Sequence, residues 1–475
     1  MDTAHPVTII QKMYKRMALL LIPTVRGAYY ILVRDPSSFK AWLSGVWIDV
    51  ILLAFLIVLS VCNWRAVKYK AGSDSILLKK GIFYKSEKLI RRQSITSITC
   101  HRPVLYRLLK AESIYIDTEG GYKNQADMKV TIKSKDREKF FSMPRFGKTY
   151  RPRLFEILFL SLCVTDTVAS TIYTILLINR AGKIIGRNIL TEFIGIIAKA
   201  AGYLALAVLV IQLLGILRNF LYYSEFAVHR SGDSLYFENG FFSRTKSICR
   251  VSAVNYIDRR QNLISSVFGL DMAFIQCTGY GKARKKEALL IPAGTERSVD
   301  GCVKLLLPEL HRAPPGAGVE IHSLKPSPKS FVRYIRTPLL LCAALILVGI
   351  LATQKIIIPY FPAWEELAKF TVFMLVVPLA LFAVVRVIAF RKAGVFYEGG
   401  NEKMLTLCYY KGLNIHTVSF YASKISHMKI KRSIFQYKNN TCDFILYTGG
   451  EGGHKHQVTG LPYDEAFFTA IERLR

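Results

Sequence analysis

The stretch Leu-Tyr-Phe-Glu-Asn-Gly-Phe-Phe at residues 235–242 decides the fold, because a similar stretch occurs at two other places in the chain. Residues 76–83 read Ile-Leu-Leu-Lys-Lys-Gly-Ile-Phe, and residues 405–412 read Leu-Thr-Leu-Cys-Tyr-Tyr-Lys-Gly. Each copy reads as a strand, a glycine-bearing turn and a second strand, which is the signal for a β-hairpin. The chain is therefore predicted to contain three related β-rich units.

A second turn follows each hairpin at a similar distance. It reads Thr-Glu-Gly-Gly at 118–121, Thr-Gly-Tyr-Gly at 278–281 and Thr-Gly-Gly at 448–450. The spacing between the hairpin glycine and the turn glycine is 39, 39 and 37 residues (81 to 120, 240 to 279 and 412 to 449). Alternating apolar positions between the two turns predict half-buried strands. Shared order and spacing predict an internal repeat.

A helical pattern follows the strands in two of the copies. Residues 296–307 carry Val299, Val303 and Leu306 on one stripe, and residues 463–474 have acidic residues near the start and Arg473 near the end. That charge order suits the helix dipole. The first copy has only a shorter pattern at 137–142. Each unit is predicted to be a small β-barrel or sandwich capped by a C-terminal helix.

Six apolar stretches precede these units in three pairs. They are residues 17–33, 42–64, 154–178, 193–217, 339–358 and 370–390. All but the first are near the roughly 20 residues that span a bilayer. The first is shorter and carries Arg26, so it is either a span that completes the first pair or an interfacial helix. The predicted fold is an α+β membrane protein with six transmembrane helices in three pairs, each followed by one β-rich unit.

The predicted boundaries follow from this alternation. Helix pairs occupy 1–64, 154–220 and 337–390, and a Pro- and Gly-rich linker occupies 313–336. The β-rich units, called repeat 1, repeat 2 and repeat 3 below, occupy 65–153, 221–312 and 391–475.

The charge is strongly positive and unevenly distributed. Lys and Arg number 65 against 33 Asp and Glu, a net charge of +32, although 51% of residues are hydrophobic. Basic residues after the second and sixth apolar stretches place both termini and all three repeats in the cytoplasm by the positive-inside rule, although Arg180, Lys183 and Arg187 in a predicted outer link weaken it. The excess favours anionic lipid over nucleic acid, since no stacking platform or recognition helix accompanies it.

Several residues resemble a known family. His5-Pro6-Val7 before the first apolar stretch, the helix pairs and the repeated unit resemble the YdbS/YdbT family of bacterial membrane proteins, whose soluble unit is a bacterial pleckstrin-homology-like (PH-like) domain. Repeat 2 matches best, through Arg259, Gln261, Leu263, 268–270 and 278–279. Repeat 1 departs at 101–103 and 108–109, and repeat 3 keeps only Ile434-Phe435.

The resemblance implies a location in the bacterial cell membrane, no enzymatic reaction and no agreed ligand. It also implies self-association or a hetero-oligomer with a single-unit relative. The sequence itself also favours a protein without enzymatic activity, because we find no catalytic motif, no cofactor motif and no metal-ligand spacing. His454 and His456 lie on a glycine-rich segment, where a solvated loop is favoured over a weak metal site. An enzyme is the least favoured class.

Basic clusters are the main candidate surface for lipid or partner proteins. These clusters either form a solvated positive face, or they contact a partner, which is an anionic lipid headgroup or an acidic protein. The candidates are Lys79, Lys80, Arg91, Arg92, Arg259, Arg284, Lys285, Lys286, Lys429, Lys431 and Arg432.

Ionisable residues within the apolar stretches form a second group of candidates. They are Arg26, Asp49, Asp166, Lys199 and Arg386. They either pair across helices or line a proton or ion path, with pairing preferred. The leading functional hypothesis is a non-enzymatic membrane scaffold whose repeats bind each other, partner proteins or lipid headgroups. The alternative is a transporter or lipid-handling protein that uses the helix bundle.

Overall fold

The computed structural model describes most of the chain. The described residues are 1–16, 46–82, 84–120, 125–140, 147–164, 174–176, 178, 194–277, 288–310, 321–360, 362, 365–398, 404–449 and 454–472. They form two compact bodies. Body 1 contains residues 1–147, 231–250 and 278–286, and body 2 contains 148–230, 251–277 and 287–475.

The described strands, in chain order, are β1 (Asp2–Thr3), β2 (Lys68–Ala71), β3 (Ser75–Lys80), β4 (Ser86–Arg91), β5 (Ile95–Arg102), β6 (Ala111–Thr118), β7 (Met128–Lys133), β8 (Lys148–Tyr150), β9 (Ala227–Ser231), β10 (Ser234–Asn239), β11 (Arg244–Arg250), β12 (Val254–Gln261), β13 (Leu270–Cys277), β14 (Ala288–Thr295), β15 (Ile321–Leu324), β16 (Gly394–Glu398), β17 (Met404–Lys411), β18 (Asn414–Tyr421), β19 (Ile425–Lys431), β20 (Thr441–Thr448) and β21 (His454–Pro462).

The described α-helices are α1 (Val7–Arg16), α2 (Val46–Arg65), α3 (Val104–Leu108), α4 (Leu154–Val164), α5 (Ile194–Tyr223), α6 (Leu263–Val267), α7 (Glu296–Leu306), α8 (Phe331–Ala352), α9 (Glu365–Lys392), α10 (Ile434–Lys438) and α11 (Glu465–Glu472). A π turn at Thr353–Ile357 and a last helical turn at Ile358–Tyr360 continue α8.

Body 1 contains two antiparallel sheets around one core. One sheet has the order β1-β2-β3-β4, and the other includes the consecutive strands β7-β6-β5-β11-β10. Buried side chains from both, including Ile76, Ile114 and Met128, share one apolar cluster with Tyr236. Strands β10 and β11 belong to repeat 2 in the sequence, so they complete a sheet begun by repeat 1.

Body 2 repeats this arrangement. Its large sheet has the order β14-β13-β12-β18-β17-β16-β15, and a smaller sheet has the order β19-β20-β21. Phe420, Phe444 and Phe468 belong to one cluster that joins these sheets to α11. Strands β12–β14 from repeat 2 here extend the sheet of repeat 3.

The predicted hairpins and their glycines are confirmed. Strand β3 pairs with β4, β10 with β11, and β17 with β18. Gly240 has φ +95°, and a Cβ there would collide with the carbonyl oxygen of Ser243. Only glycine fits this turn without strain, because it has no Cβ.

Among the described residues, three helices are long and apolar enough to cross a membrane: Gly202–Tyr223, Pro328–Tyr360 and Glu365–Lys392. They correspond to the predicted stretches 193–217, 339–358 and 370–390. Shorter apolar helices at Val50–Arg65 and Leu154–Cys163 overlap two more of the predicted stretches, 42–64 and 154–178. The stretch 17–33 lies outside the described residues, and so does most of 165–178.

Two predicted boundaries differ from the structure. The linker 313–336 contains β15, which pairs with β16, and α8 already begins at Phe331. Repeat 2 was predicted as one self-contained domain at 221–312, but its strands are divided between the two bodies. The division of repeat 2 has a physical reason, since a period-two pattern indicates which face of a strand is buried but not which strand lies beside it.

Candidate interaction site: sheet junctions and their open edges

In body 1 a junction joins repeats 1 and 2 through antiparallel β5 and β11. Ile98 lies opposite Ile248, and Thr99 lies opposite Ser247. The imidazole Nε2 of His101 lies 2.8 Å from Ser243 Oγ. This junction (the first junction) therefore combines main-chain pairing with neutral side chains at these positions, while Arg244 lies opposite Arg102 at its far end.

In body 2 the second junction joins repeats 2 and 3 through antiparallel β12 and β18. Asp258 lies opposite Val418, and Arg260 lies opposite His416. His416 Nδ1 is 3.0 Å from both carboxylate oxygens of Asp258, and Arg260 Nε donates to Asp258 Oδ2 at 2.6 Å. Burial alone would raise the pKa of Asp258, but the hydrogen bonds and charges of His416 and Arg260 lower it overall. This junction is held by a buried charged group.

A short 3₁₀ turn makes the two junctions directly comparable. It separates β4 from β5 at Arg92–Ser94, β11 from β12 at Val251–Ala253, and β18 from β19 at Ala422–Lys424. Counted from these turns, Ile248 corresponds to Leu89, and Ile98 corresponds to Ile257 and Met428. At both junctions the third residue before one turn therefore lies opposite the fourth residue after another turn, so the two junctions have the same register.

A cation also caps the same carbonyl at both junctions. Arg250 Nη1 donates to the Gln93 oxygen at 2.6 Å in body 1, and Lys424 Nζ donates to the Ser252 oxygen at 2.7 Å in body 2. Gln93 and Ser252 occupy the middle of equivalent turns. Arg250 lies at the end of a strand, whereas Lys424 lies within a turn. The position of the cation therefore differs between the junctions, while the carbonyl that accepts its hydrogen bond is equivalent.

Two edge strands, β4 and β19, are equivalent to the strands that form the two junctions. Strand β4, the counterpart of β11 and β18, is the last strand of its sheet in body 1. Strand β19, the counterpart of β5 and β12, is the last strand of its sheet in body 2. Among the strands that the structure describes, neither has a neighbour on its outer side. An unpaired edge is a template for another strand.

The candidate basic residues divide by environment. Lys79 pairs with Glu87 at 2.5 Å, Arg92 donates to the carbonyl oxygens of Gly72 and Lys139, and Arg259 pairs with Asp300. Arg432 stacks on the rings of Tyr437 and Tyr463, 3.9 and 4.1 Å from their centroids. These four have structural contacts within their own body.

The remaining described candidates, Lys80, Arg91, Lys429 and Lys431, are exposed. Arg91 lies on β4, while Lys429 and Lys431 lie on β19. Three of the exposed candidates therefore lie on the two open edges. Arg284, Lys285 and Lys286 lie outside the described residues.

The intramembrane candidates are only partly placed. Arg26 and Asp166 lie outside the described residues, and Asp49 and Lys199 lie on α2 and α5 with no description of their side chains. Arg386 on α9 stacks on Tyr410, with its guanidinium carbon 3.5 Å from the ring centroid. Its contacts are aromatic.

His456 is the clearest difference from the sequence-based interpretation of a solvated loop. It lies on β21, is buried, and its Nδ1 is 2.9 Å from the Tyr409 hydroxyl. Burial lowers its pKa to about 4. The polar residues and glycines around His456 indicated a loop, although His456 lies in the core. Within the described part of the chain, no group of three or more His, Cys, Asp or Glu residues could hold a metal ion.

The short helix after the junction strand presents apolar side chains. In repeat 2, Asn262 caps α6 and donates to the Cys163 carbonyl oxygen at 3.2 Å, while Phe268 meets Phe159 of α4 edge to face. In repeat 3 the equivalent α10 leaves Ile434 and Phe435 88% and 81% exposed. In repeat 2 the end of the helix therefore contacts an apolar helix through Phe268, although Val267 and Phe268 remain 76% and 66% exposed.

An apolar recess of ≈ 520 Å³ lies between α8 and α9 at the π turn. Its lining consists of small and aliphatic residues with two threonines: Gly349, Ala352, Thr353, Ile357, Leu367, Ala368, Thr371 and Val372. This lining lacks the ionisable groups that a proton or ion path uses.

Sequence reasoning missed Asp258, His416, Leu89 and Met428. The first two form the centre of the second junction, and the last two are the open-edge counterparts of an apolar pair. Because Leu89 and Ile90 are adjacent on one strand, their side chains must point to opposite faces, and this could have indicated an outward apolar side chain. No local signal identified the partner of Asp258, because His416 is 158 residues away.

Comparison with known families supports the PH-like character of repeats 1 and 2. The family model of the bacterial PH domain matches residues 18–143 and 187–289. The two matches include most strands of repeats 1 and 2. No curated protein and no solved structure matches the chain. These two regions therefore match the bacterial PH domain, in agreement with the PH-like unit that the sequence resemblance implies.

Proposed function

We propose that the protein is a non-enzymatic integral membrane scaffold whose cytoplasmic PH-like repeats bind partner proteins through sheet edges. One observation carries the proposal: strands of neighbouring repeats pair at both internal junctions. Strand addition gives affinity through main-chain hydrogen bonds, while alternate side chains give specificity. A chain that joins its own repeats in this way is suited to joining further domains.

The membrane helices give the scaffold its location. The three spanning-length helices and the basic flanks favour a multi-pass protein with the repeats on the cytoplasmic side. Fixing the repeats near one surface raises the effective concentration of their edges towards partners in the same membrane.

Purification of the full chain in mild detergent tests the scaffold. We expect assemblies larger than one 53.8 kDa chain in its micelle, measured by light scattering and by mass spectrometry of co-purifying proteins. A control purification after exposure to a denaturing detergent should release the partners. A strictly monomeric chain without partners in mild detergent would contradict the proposal.

A second function, lipid contact by repeat 3, is favoured by α10. Its exposed Ile434, Phe435 and Tyr437 lie beside Lys431 and Lys438, and apolar side chains next to lysines suit an anionic membrane interface. In repeat 2, Phe268 at the end of the equivalent α6 contacts Phe159 of the apolar helix α4.

Fluorescence quenching in lipid nanodiscs tests this contact. Phe435→Trp should be quenched by brominated lipid, more strongly when the lipid is anionic. The matched control is Tyr84→Trp, since Tyr84 is 89% exposed in the β3–β4 turn. The four native tryptophans provide the background. Equal quenching of the two variants would argue against insertion of α10.

A further inference from the structure

We propose that β4 of one copy pairs with β19 of a second copy of this chain, in the register of the two internal junctions. This inference rests on the proposed scaffold function and names its partner and its surface. Both internal junctions join the strand before one 3₁₀ turn to the strand after another. Among the described strands, β4 and β19 are the further strands of these two kinds, and both are sheet edges.

The register follows from the internal junctions. Ile248 lies opposite Ile98 at the first junction, and Ser419 lies opposite Ile257 at the second. Their counterparts on the open edges are Leu89 and Met428. Leu89 of one copy therefore lies opposite Met428 of the other, Glu87 opposite Ile430, and Arg91 opposite Ser426.

Apolar surface supports this pairing. Leu89 is 63% exposed although it is a large aliphatic residue on a strand, and it lies opposite Leu77 within its own sheet. The counterparts of Leu77 and Leu89 are Tyr236 and Ile248, and both pack against the core of body 1. Met428 and Ile430 are only partly buried against the core of body 2. The second copy would cover all four side chains.

Arg91 supplies the capping contact seen at the first junction. Its counterpart Arg250 donates to the carbonyl oxygen of Gln93. The equivalent carbonyl of repeat 3 belongs to Ser423, in the turn Ala422–Lys424. Arg91 is exposed and has the length to reach this carbonyl once the strands pair.

One contact weakens the pairing between copies. The register places Lys88 opposite Lys429, whereas Ser247 lies opposite Thr99 at the first junction. Like charges directly opposite each other destabilise a sheet, and lysine on an edge strand is a common guard against uncontrolled pairing. Since the two edges differ, the contact is heterologous and leads to a ring or a row of copies.

Cysteine cross-linking in native membranes tests the register. Two full-length chains with different tags are co-expressed, one carrying Leu89→Cys and the other Met428→Cys. Oxidation should give a doubly tagged cross-linked dimer, because opposite residues in antiparallel strands are within disulfide reach. Replacing Met428→Cys by Lys429→Cys points the thiol to the other face, so the dimer yield should fall on the order of tenfold. Wild-type chains with their nine cysteines give the baseline.

Two surface variants test the same contact without introduced thiols. Leu89→Lys should reduce self-association in mild detergent, while the matched control Tyr84→Lys should not. Lys429→Thr, which places the residue type of Thr99 at the equivalent position, should increase it. Leu89 and Lys429 are both exposed, so we expect the two variants to fold.

The outcomes separate this inference from the scaffold function. No doubly tagged dimer, equal yields for positions 428 and 429, or a disulfide confined to one chain carrying both substitutions would overturn the pairing between copies. If the chain still co-purifies with other proteins in those cases, the scaffold function stands with a different partner. If neither a dimer nor a partner is found, both proposals fail.

Discussion

The two internal junctions have one geometry and two chemistries. At the first junction the inward positions are neutral, with Thr99 opposite Ser247. At the second junction the counterpart of Thr99 is Asp258, which is buried and bonded to His416 and Arg260. The strand pairing is common to both, so main-chain hydrogen bonds and the register define a junction. The side chains set its strength and its response to pH.

Removing the carboxylate of the second junction should have the largest effect. Asp258→Ala leaves His416 and Arg260 without their buried partner, and we expect a loss of about 4 kcal/mol of unfolding free energy. Thermal unfolding of the full chain in detergent, with hydrogen exchange of Asn414–Tyr421, measures this. The matched change at the first junction, Thr99→Ala, should cost about 1 kcal/mol. Similar losses would show that the charge is unimportant.

Acid should weaken repeat 3 more than repeat 1. Burial lowers the pKa of His456 to about 4, so the unfolded state binds an extra proton between pH 6.5 and 4. Stability therefore falls with falling pH across this range, by up to about 3 kcal/mol. Hydrogen exchange of His454–Pro462 against pH measures it.

The control for this pH effect comes from the repeat itself. Met128 on β7 lies opposite Ile116 of β6, and His456 on β21 lies opposite Leu446 of β20. Met128 is therefore the repeat 1 counterpart of His456. His456→Met should remove the extra slope between pH 6.5 and 4. A slope that persists in this variant would assign the pH response to other groups.

The hairpin that forms the first junction should be more sensitive at its glycine than the hairpin of the second. Gly240→Ala introduces a collision with Ser243 at φ +95°, with an expected cost of about 2 kcal/mol. Gly412 has φ +64° and open space around a Cβ, so Gly412→Ala should cost about 1 kcal/mol. Thermal unfolding of both variants measures the difference, and a reversed order would contradict the steric argument.

The capping cations should give the smallest effects. Arg250 donates to two carbonyl oxygens across the first junction, whereas Lys424 donates to one across the second. Arg250→Ala should cost about 1 kcal/mol and Lys424→Ala about half of that, since both are partly exposed. Exchange rates of the amides in the adjoining turns report these local losses. Unchanged rates in both would mean that the carbonyls are equally well solvated by water.

Much of the local structure could be predicted from the sequence. The hairpins around Gly81, Gly240 and Gly412, and the helices at 296–306 and 465–472, follow from turn chemistry and periodicity. Three of the six apolar stretches correspond to helices of spanning length. These features depend on short-range signals, which a single sequence contains.

The division of repeat 2 between two bodies could not be predicted. The strands around Ile98 and Ile257 have the same alternation whether they pair within a repeat or between repeats. The burial of Asp258 and His456 was equally hidden, since polar residues in alternating strands are read as outward-facing. The position of Asp258 depends on His416, which is 158 residues away in the chain, whereas His456 is buried against Tyr409, which is 47 residues away.

The exchange of strands between repeats also sets an order for synthesis. The sheet of repeat 1 includes β11, which ends at Arg250. Helices α4 and α5, at 154–164 and 194–223, leave the ribosome before that strand does. The edge of β5 therefore stays unpaired throughout the emergence of these apolar helices, and a nascent chain stopped before residue 244 would expose it to chaperones and neighbouring chains.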